Sequence, residues 1–266
     1  MSNDKYDKYS TNRAIMHAFN KNLKPRNTTN SVSNNNSKPS TTPSQPQTAR
    51  PSVTPQKNPT PTQPTTPKYI LTNDTLSVDG HKLHRIQALI DIPGLGVEAG
   101  DMGGYIENES NLSHSGMCWV FDNAKVYGAA MLKDGATARG ESSVCGNQYG
   151  VVIMKDGAAV YDKAKIYGNV TVAGCAKIYD NAEVHSELKP SAKSKGGVRI
   201  FGSACICDYA IVKDAARISG NAYVGGDATI RNAVEVDGYS RLTHGMYSDG
   251  HITNDGLGKF ATHEEI

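Results

Sequence analysis

The chain has 266 residues, of which 38% are hydrophobic, with one Trp and four Phe. This apolar content is small for the length, so we expect part of the chain to lie outside any folded core. No apolar run approaches the ~18 residues of a membrane span, and the amino-terminal residues lack the apolar stretch of a secretory signal. With an odd number of Cys, five, these features predict reduced thiols in a cytoplasm. Secretion by a route that reads polar amino-terminal residues stays open.

The first segment, residues 1–24, contains a predicted short amphipathic helix. Ile15, Phe19 and Leu23 recur every four residues on one helical face, and Pro25 ends the pattern. A helix of this length is marginal alone in water, so the apolar stripe predicts folding onto a protein partner. A frayed tail without a role is the alternative.

Residues 25–67 hold ten of the twelve Pro among Thr, Ser, Asn and Gln. Such a segment cannot bury enough apolar surface to fold, so it is predicted to be a disordered linker with polyproline II character. Residues 1–67 together carry nine Lys or Arg and two Asp, a net charge of +7. This basic arm fits nucleic acid or another polyanion as a partner, and it equally fits plain solvation of a linker.

Residues 68–103 predict a small β cap. The stretches KYILT and TLSVDGHKLHRIQALIDI are strand-like, and the pair Asp79-Gly80 is a turn signal. The Gly-rich stretch DIPGLGVEAGDMGGYIE follows. It contains neither the P-loop pattern nor the dinucleotide fingerprint, so we interpret it as turns.

From Gly104 to Tyr239 the chain repeats every six residues. Most units begin with a small residue, carry Val, Ile or Leu at the third position, and have Gly, Asn or Asp at the fifth or sixth position, as in AKIYGN and AKIYDN. Apart from two extra residues at 116–117, two interruptions break the repeat, at 148–151 and 188–197. Such a fixed short period predicts a solenoid. Residues 240–266 are predicted to be a tail or cap.

The physical reason for a period of six is a short strand followed by a sharp bend. Alternation places residues one and three of a unit inside and residues two and four outside, while Gly, Asn and Asp accept the positive φ of a bend. Three such sides close a triangular coil of eighteen residues, and coils stack at about 4.8 Å. In this register, both interruptions leave the same corner, between sides two and three.

The rhythm of Val126-Tyr127-Gly128 and Ile166-Tyr167-Gly168-Asn169-Val170 resembles the bacterial hexapeptide-repeat proteins. That resemblance implies an all-β fold, a left-handed parallel β-helix, and a homo-oligomer with a trimer favoured. The stretch GDMGGYIENESNLSHSGMCWVFDNAKVYG is similar to a group found in bacteriophages, prophages and bacterial genomes, often labelled as transferases. The resemblance covers residues 68–239 only.

The candidate contact residues lie in three places. Phe121, Tyr161 and Tyr179 fall in one outward column on side one and predict a protein contact or subunit interface, with simple aromatic laddering as the alternative. The apolar stripe of the first segment is the second place. Three Lys of the loop at 188–197 are the third: Lys189, Lys193 and Lys195.

Catalysis rests on one residue at most. Hexapeptide acyltransferases use a His as general base, and the resemblance implies His185 for that role, with the lysines of the nearby loop meeting the phosphates of a CoA-linked donor. No partner carboxylate for His185 is evident in the sequence. His spacing does not fit a three-His zinc site, and the pair Cys205 and Cys207 alone is a weak metal signal. No metal and no cofactor are therefore predicted.

These observations favour a non-enzymatic scaffold that binds a protein partner through the arm and the rigid coil. The resemblance implies a phage or mobile-element protein in the cytoplasm of a bacterial host cell, with association with a virion left open. Two alternatives stay open. One is an acyltransferase with His185 as general base, and the other is a secreted effector.

Overall fold

The computed structural model describes residues 66–188 and 196–254. Within these ranges the chain forms an all-β parallel solenoid of about eight turns, as predicted. Helical structure in the described residues is confined to two 3-10 turns, Pro93–Leu95 and Glu109–Asn111. No helix among the described residues is long and apolar enough to cross a membrane.

Twenty-four strands are described, and most have two to four residues, as expected for the sides of a small polygon. The first half of them comprises β1 (Tyr69–Val78), β2 (His81–Ala88), β3 (Met102–Ile106), β4 (Trp119–Val120), β5 (Lys125–Gly128), β6 (Ala130–Leu132), β7 (Thr137–Ala138), β8 (Ser143–Gly146), β9 (Val152–Met154), β10 (Ala159–Val160), β11 (Lys165–Gly168) and β12 (Val170–Val172). The second half comprises β13 (Lys177–Ile178), β14 (Glu183–Ser186), β15 (Val198–Ile200), β16 (Cys205–Ile206), β17 (Ile211–Lys213), β18 (Arg217–Ile218), β19 (Tyr223–Val224), β20 (Thr229–Ile230), β21 (Glu235–Gly238), β22 (Arg241–Leu242), β23 (Met246–Tyr247) and β24 (His251–Asn254).

Strands from successive coils of the solenoid lie side by side and form three sheets. Sheet one is β4-β7-β10-β13-β16-β19-β22, and sheet three is β6-β9-β12-β15-β18-β21-β24. Sheet two is the longest, in the order β1-β2-β3-β5-β8-β11-β14-β17-β20-β23. These sheets are the three predicted sides. They also continue past Tyr239, where the predicted repeat ends, because β22, β23 and β24 add one strand to each sheet.

Strand pairing confirms the eighteen-residue coil. Ile166 of β11 pairs with Val184 of β14, eighteen positions further on. Across the first interruption the offset grows to twenty-two, as Ala130 pairs with Val152. Across the second it grows to twenty-eight, as Val170 pairs with Val198. Both interruptions lie between a strand of sheet two and the next strand of sheet three, so the extra residues leave the pairing intact.

The interior is filled by the first and third residues of each unit, as the alternation predicts. The third-position residues Ile166, Ile178 and Val212 are each 0% exposed. Full burial of such a side chain contributes about 1.5–3 kcal/mol. The first-position residues Ala164 and Ala176 are also 0% exposed, which explains the small residue there: the bends approach the centre of a narrow prism.

The corners use Asp as a structural residue. Every non-Gly residue with positive φ in the described ranges is an Asp or an Asn, for example Asp162 at 58° and Asp180 at 57°. Their side chains also bind the turn above: Asp180 N–H donates to Asp162 Oδ2 at 3.4 Å, and Asp208 N–H donates to Asp180 Oδ2 at 3.2 Å. The polar corner residues therefore satisfy backbone donors that no strand partner reaches.

The cap prolongs sheet two at the amino-terminal end. β1 and β2 form an antiparallel hairpin through the predicted Asp79-Gly80 turn, and β2 pairs antiparallel with β3. β3 then pairs in parallel with β5. Trp119 departs from the alternation, because it occupies an outward second position yet is 1% exposed. Tyr69 at the start of the cap packs edge-on against it, with ring centroids 6.2 Å apart.

Candidate functional site

The predicted aromatic column lies on the outer face of sheet one. The rings of Tyr161 and Tyr179 stack one turn apart, with centroids 5.1 Å apart and planes within 7°. The guanidinium carbon of Arg139 lies 3.5 Å above the ring centroid of Phe121. All four side chains are half-buried, and burial raises the pKa of both Tyr hydroxyls. Because the rings are stacked or covered in this way, the face presents ring edges and hydroxyls rather than open ring faces.

Further up sheet one the face becomes more accessible. Tyr209 is 70% exposed and follows β16 at one corner, while Tyr239 is 60% exposed and precedes β22 at the other. Between them lies Tyr223, with the guanidinium of Arg241 4.1 Å from its ring centroid. We call Tyr209, Tyr223, Tyr239 and Arg241 the upper patch. The sequence did not predict it, because Tyr209 and Tyr239 are at corner positions interpreted as turns and Arg241 lies beyond the predicted repeat.

A thiol and two carboxylates meet beside the upper patch. Possible ligand atoms of Asp180, Cys207 and Asp208 lie within 4.8 Å of one another. The carboxylates already serve the corners: Gly226 N–H donates to Asp208 Oδ2 at 2.7 Å. The Cys207 Sγ lies 3.0 Å from the Tyr223 hydroxyl, and burial raises the pKa of the Cys207 thiol. We therefore assign this cluster a packing role. Cys205 and Cys207 flank the inward Ile206, as expected of a strand.

His185 lies on the outer face of sheet two. Its ring stacks on Tyr167 one turn below, with centroids 4.7 Å apart and planes within 7°. Its Nδ1 is buried without a hydrogen-bond partner, and burial lowers its pKa. Among the described residues no carboxylate hydrogen-bonds to this ring. A neutral imidazole could accept a proton, but nothing here orients it as the third member of a triad does.

Within sheet two, a polar network joins the β1–β2 hairpin of the cap to strand β5. His81 Nδ1 lies 2.8 Å from Glu107 Oε1, and Gly128 N–H donates to Glu107 Oε2 at 2.7 Å. The Tyr127 hydroxyl donates to Asp79 Oδ2 at 2.9 Å. The hydrogen bond with His81 is the main reason that the pKa of Glu107 is lowered, with burial opposing it and the Gly128 N–H adding to it. The polar groups of these residues are hydrogen-bonded to one another, which indicates a structural network.

This network predicts a loss of stability in acid. A carboxyl group whose pKa is lowered by folding stabilises the fold above its unfolded value, and that contribution disappears as pH falls through the folded pKa. We expect the free energy of unfolding to fall as pH drops below about 4.5, the ordinary Glu value. In Glu107→Gln this part of the pH dependence should be missing, as measured by urea unfolding at a series of pH values. Asp227→Asn is the matched control, because it changes a second carboxylate–histidine pair that is highly exposed. If the free energy of unfolding of Glu107→Gln depends on pH just as that of the original protein does, the structural role assigned to Glu107 is wrong.

Several predicted contact residues lie outside the described residues. They are the apolar stripe of the first segment and the lysines of the loop: Ile15, Phe19, Leu23, Lys189, Lys193 and Lys195. Their roles stay predictions. The described sites are not brought together either, because the column on sheet one and His185 on sheet two lie on different faces of the solenoid.

A comparison with known proteins finds no matching family model and no matching curated relative.

Proposed function

We propose that the chain is a non-enzymatic scaffold that binds a protein partner through its amino-terminal arm and the outer face of sheet one. The upper patch is the observation that carries this proposal. Its exposed Tyr209 and Tyr239 flank an aromatic and cationic face, and protein interfaces are enriched in Tyr and Arg. Neither exposed ring is needed for the core, since the inward residues are already buried.

The finer parts of the resemblance belong to the same proposal. We assign the solenoid to the left-handed hexapeptide-repeat proteins of bacteria and their phages, acting in the cytoplasm as a homo-oligomer, with a trimer favoured. The eighteen-residue offset of the strands supports this assignment. Light scattering coupled to size exclusion tests the oligomer, and a monomer at micromolar concentration would contradict it.

The partner prediction is tested with full-length variants in a pull-down from host extract. Ile15, Phe19 and Leu23 changed together to Ser should reduce capture of the partner at least tenfold, because the apolar stripe is lost and the +7 charge of residues 1–67 is kept. Tyr209 and Tyr239 changed together to Ser test the upper patch in the same way. Captured protein that both variants retain in full would contradict the proposal. Binding that survives both and weakens steeply with salt would point to a polyanion instead.

Acyl transfer is the alternative activity, and the unpartnered Nδ1 of His185 is the observation that favours it. We expect no transfer from acetyl-CoA to amino sugars, hydroxyl acceptors or amines. The measurement is release of free CoA, with His185→Ala as the matched variant. Turnover that His185→Ala abolishes, while thermal stability is unchanged, would overturn the scaffold proposal.

A further inference from the structure

Lys68 is buried beside a thiol where the described chain enters the cap. The residue is 1% exposed and Cys118 is 0% exposed. Lys68 Nζ lies 2.8 Å from the Cys118 carbonyl oxygen, 3.3 Å from Cys118 Sγ and 3.4 Å from the Gly116 carbonyl oxygen. These three acceptors match the three N–H groups of an ammonium. None of them is a carboxylate, so this buried amine lacks the partner that usually accompanies a buried Lys.

We propose that Lys68 Nζ and Cys118 Sγ form an oxidation site, at which hydrogen peroxide converts the hydrogen-bonded pair into a covalent nitrogen–sulfur link. The two atoms are already in contact, so the reaction needs only a small approach. The proposal goes beyond the scaffold function and does not depend on it.

The chemistry balances in two steps. Peroxide first oxidises the Cys118 thiol to a sulfenic acid: an S–O bond forms, the O–O bond breaks, and one water leaves. The Lys68 amine then attacks the sulfur, and the hydroxyl leaves as water with one amine proton. The product is a sulfenamide that has lost two hydrogen atoms relative to the reduced pair.

The local environment favours the second step more than the first. Burial lowers the pKa of Lys68, which increases the fraction of neutral, nucleophilic amine. Burial also raises the pKa of Cys118, with the charge of Lys68 opposing it, so the thiolate is scarce and its oxidation slow. We therefore expect the link to accumulate over hours rather than seconds. The exposed Ser115 lies beside the thiol, with its carbonyl oxygen 3.7 Å from Cys118 Sγ, so we expect peroxide to approach from this side.

The link would fix the root of the amino-terminal arm. Lys68 N–H donates to His114 Nδ1 at 3.1 Å, and Tyr69 stacks on His114 with centroids 4.3 Å apart. The reduced chain thus holds residues 68 and 69 by noncovalent contacts with the 112–118 segment. Oxidation would make that attachment covalent, and added thiol would reverse it.

The experiment is peptide mapping of the full-length chain after peroxide treatment without added thiol. We expect a peptide containing Lys68 joined to one containing Cys118, lighter by two hydrogens than the two reduced peptides, with trypsin unable to cut after Lys68. Dithiothreitol should release both peptides. Cys118→Ser and Lys68→Arg should each abolish the link, and circular dichroism would verify that both variants fold.

An internal comparison strengthens the test. Lys177 and Cys205 are strand neighbours on sheet one, but the structure gives no hydrogen bond between these two described side chains. We expect no link there. Cys118 found only as free thiol, disulfide or sulfonic acid, with Lys68 unmodified, would overturn the proposal. Equal linkage at both pairs would also overturn it, since linkage would then not require the buried contact.

Discussion

Replacing Ile178 by Asp is expected to lower the free energy of unfolding by about 4 kcal/mol or more. Ile178 is 0% exposed and is stacked between Val160 below and Ile206 above. The change removes about 1.5–3 kcal/mol of apolar burial and places a carboxylate in an apolar interior where nothing can pair with it. Urea unfolding followed by circular dichroism measures the loss.

The matched control is the adjacent residue. Lys177 is half-buried and points away from the core on the same strand, so Lys177→Asp should change stability by no more than about 0.5 kcal/mol. The two substitutions introduce the same side chain one position apart. A similar loss from both would mean that the inward and outward positions are assigned wrongly.

Replacing Gly168 by Ala is expected to cost about 3 kcal/mol or more. Gly168 ends β11 with φ +80°, a conformation that L side chains rarely adopt. A Cβ there would also fall well inside contact distance of the Ser186 carbonyl oxygen one turn above. Backbone strain accounts for roughly 1–2 kcal/mol, and the clash adds the rest because a paired backbone cannot shift freely. Thermal and urea unfolding both report this loss.

A second glycine provides the control for the general effect of replacing glycine by alanine. Gly157 also lies at a corner, yet its φ is not in the left-handed region and the nearest atom to an added Cβ is 3.4 Å away. Gly157→Ala should therefore be neutral or stabilise by up to about 1 kcal/mol, since it restricts the unfolded chain. If Gly168→Ala behaves in the same way, the close stacking of this corner is wrong.

The fold followed from the sequence because one local rule repeats along the chain. The small residue Ala164, the inward Ile166 and the bend at Gly168 each report the same six-residue unit, so errors at single positions do not matter. Trp119 shows where the rule fails. Its burial depends on Tyr69, which is fifty positions earlier in the chain, and no periodicity reports a contact between the cap and the solenoid.

The candidate site was less predictable, because the six-residue repeat sets only some of its contacts. The Tyr161–Tyr179 stack followed directly from the register, because both residues occupy the fourth position of adjacent turns. The same register also places His185 over Tyr167, since both occupy the fourth position of adjacent units on side two, although the interpretation of His185 as a base does not use this contact. The Lys68–Cys118 contact could not be predicted, since it depends on how the entry to the cap folds over the 112–118 segment.

The corner between sheets two and three accepts extra residues without any change in the length of the solenoid. Four extra residues after β8 and ten in the 188–197 segment leave there, and the strands on either side keep their partners. Chain can therefore be added at that corner without rebuilding the prism, and whole coils can be added in steps of eighteen residues along its axis. An engineer could use the first change to present a peptide on one edge, and the second to set the distance between the two ends.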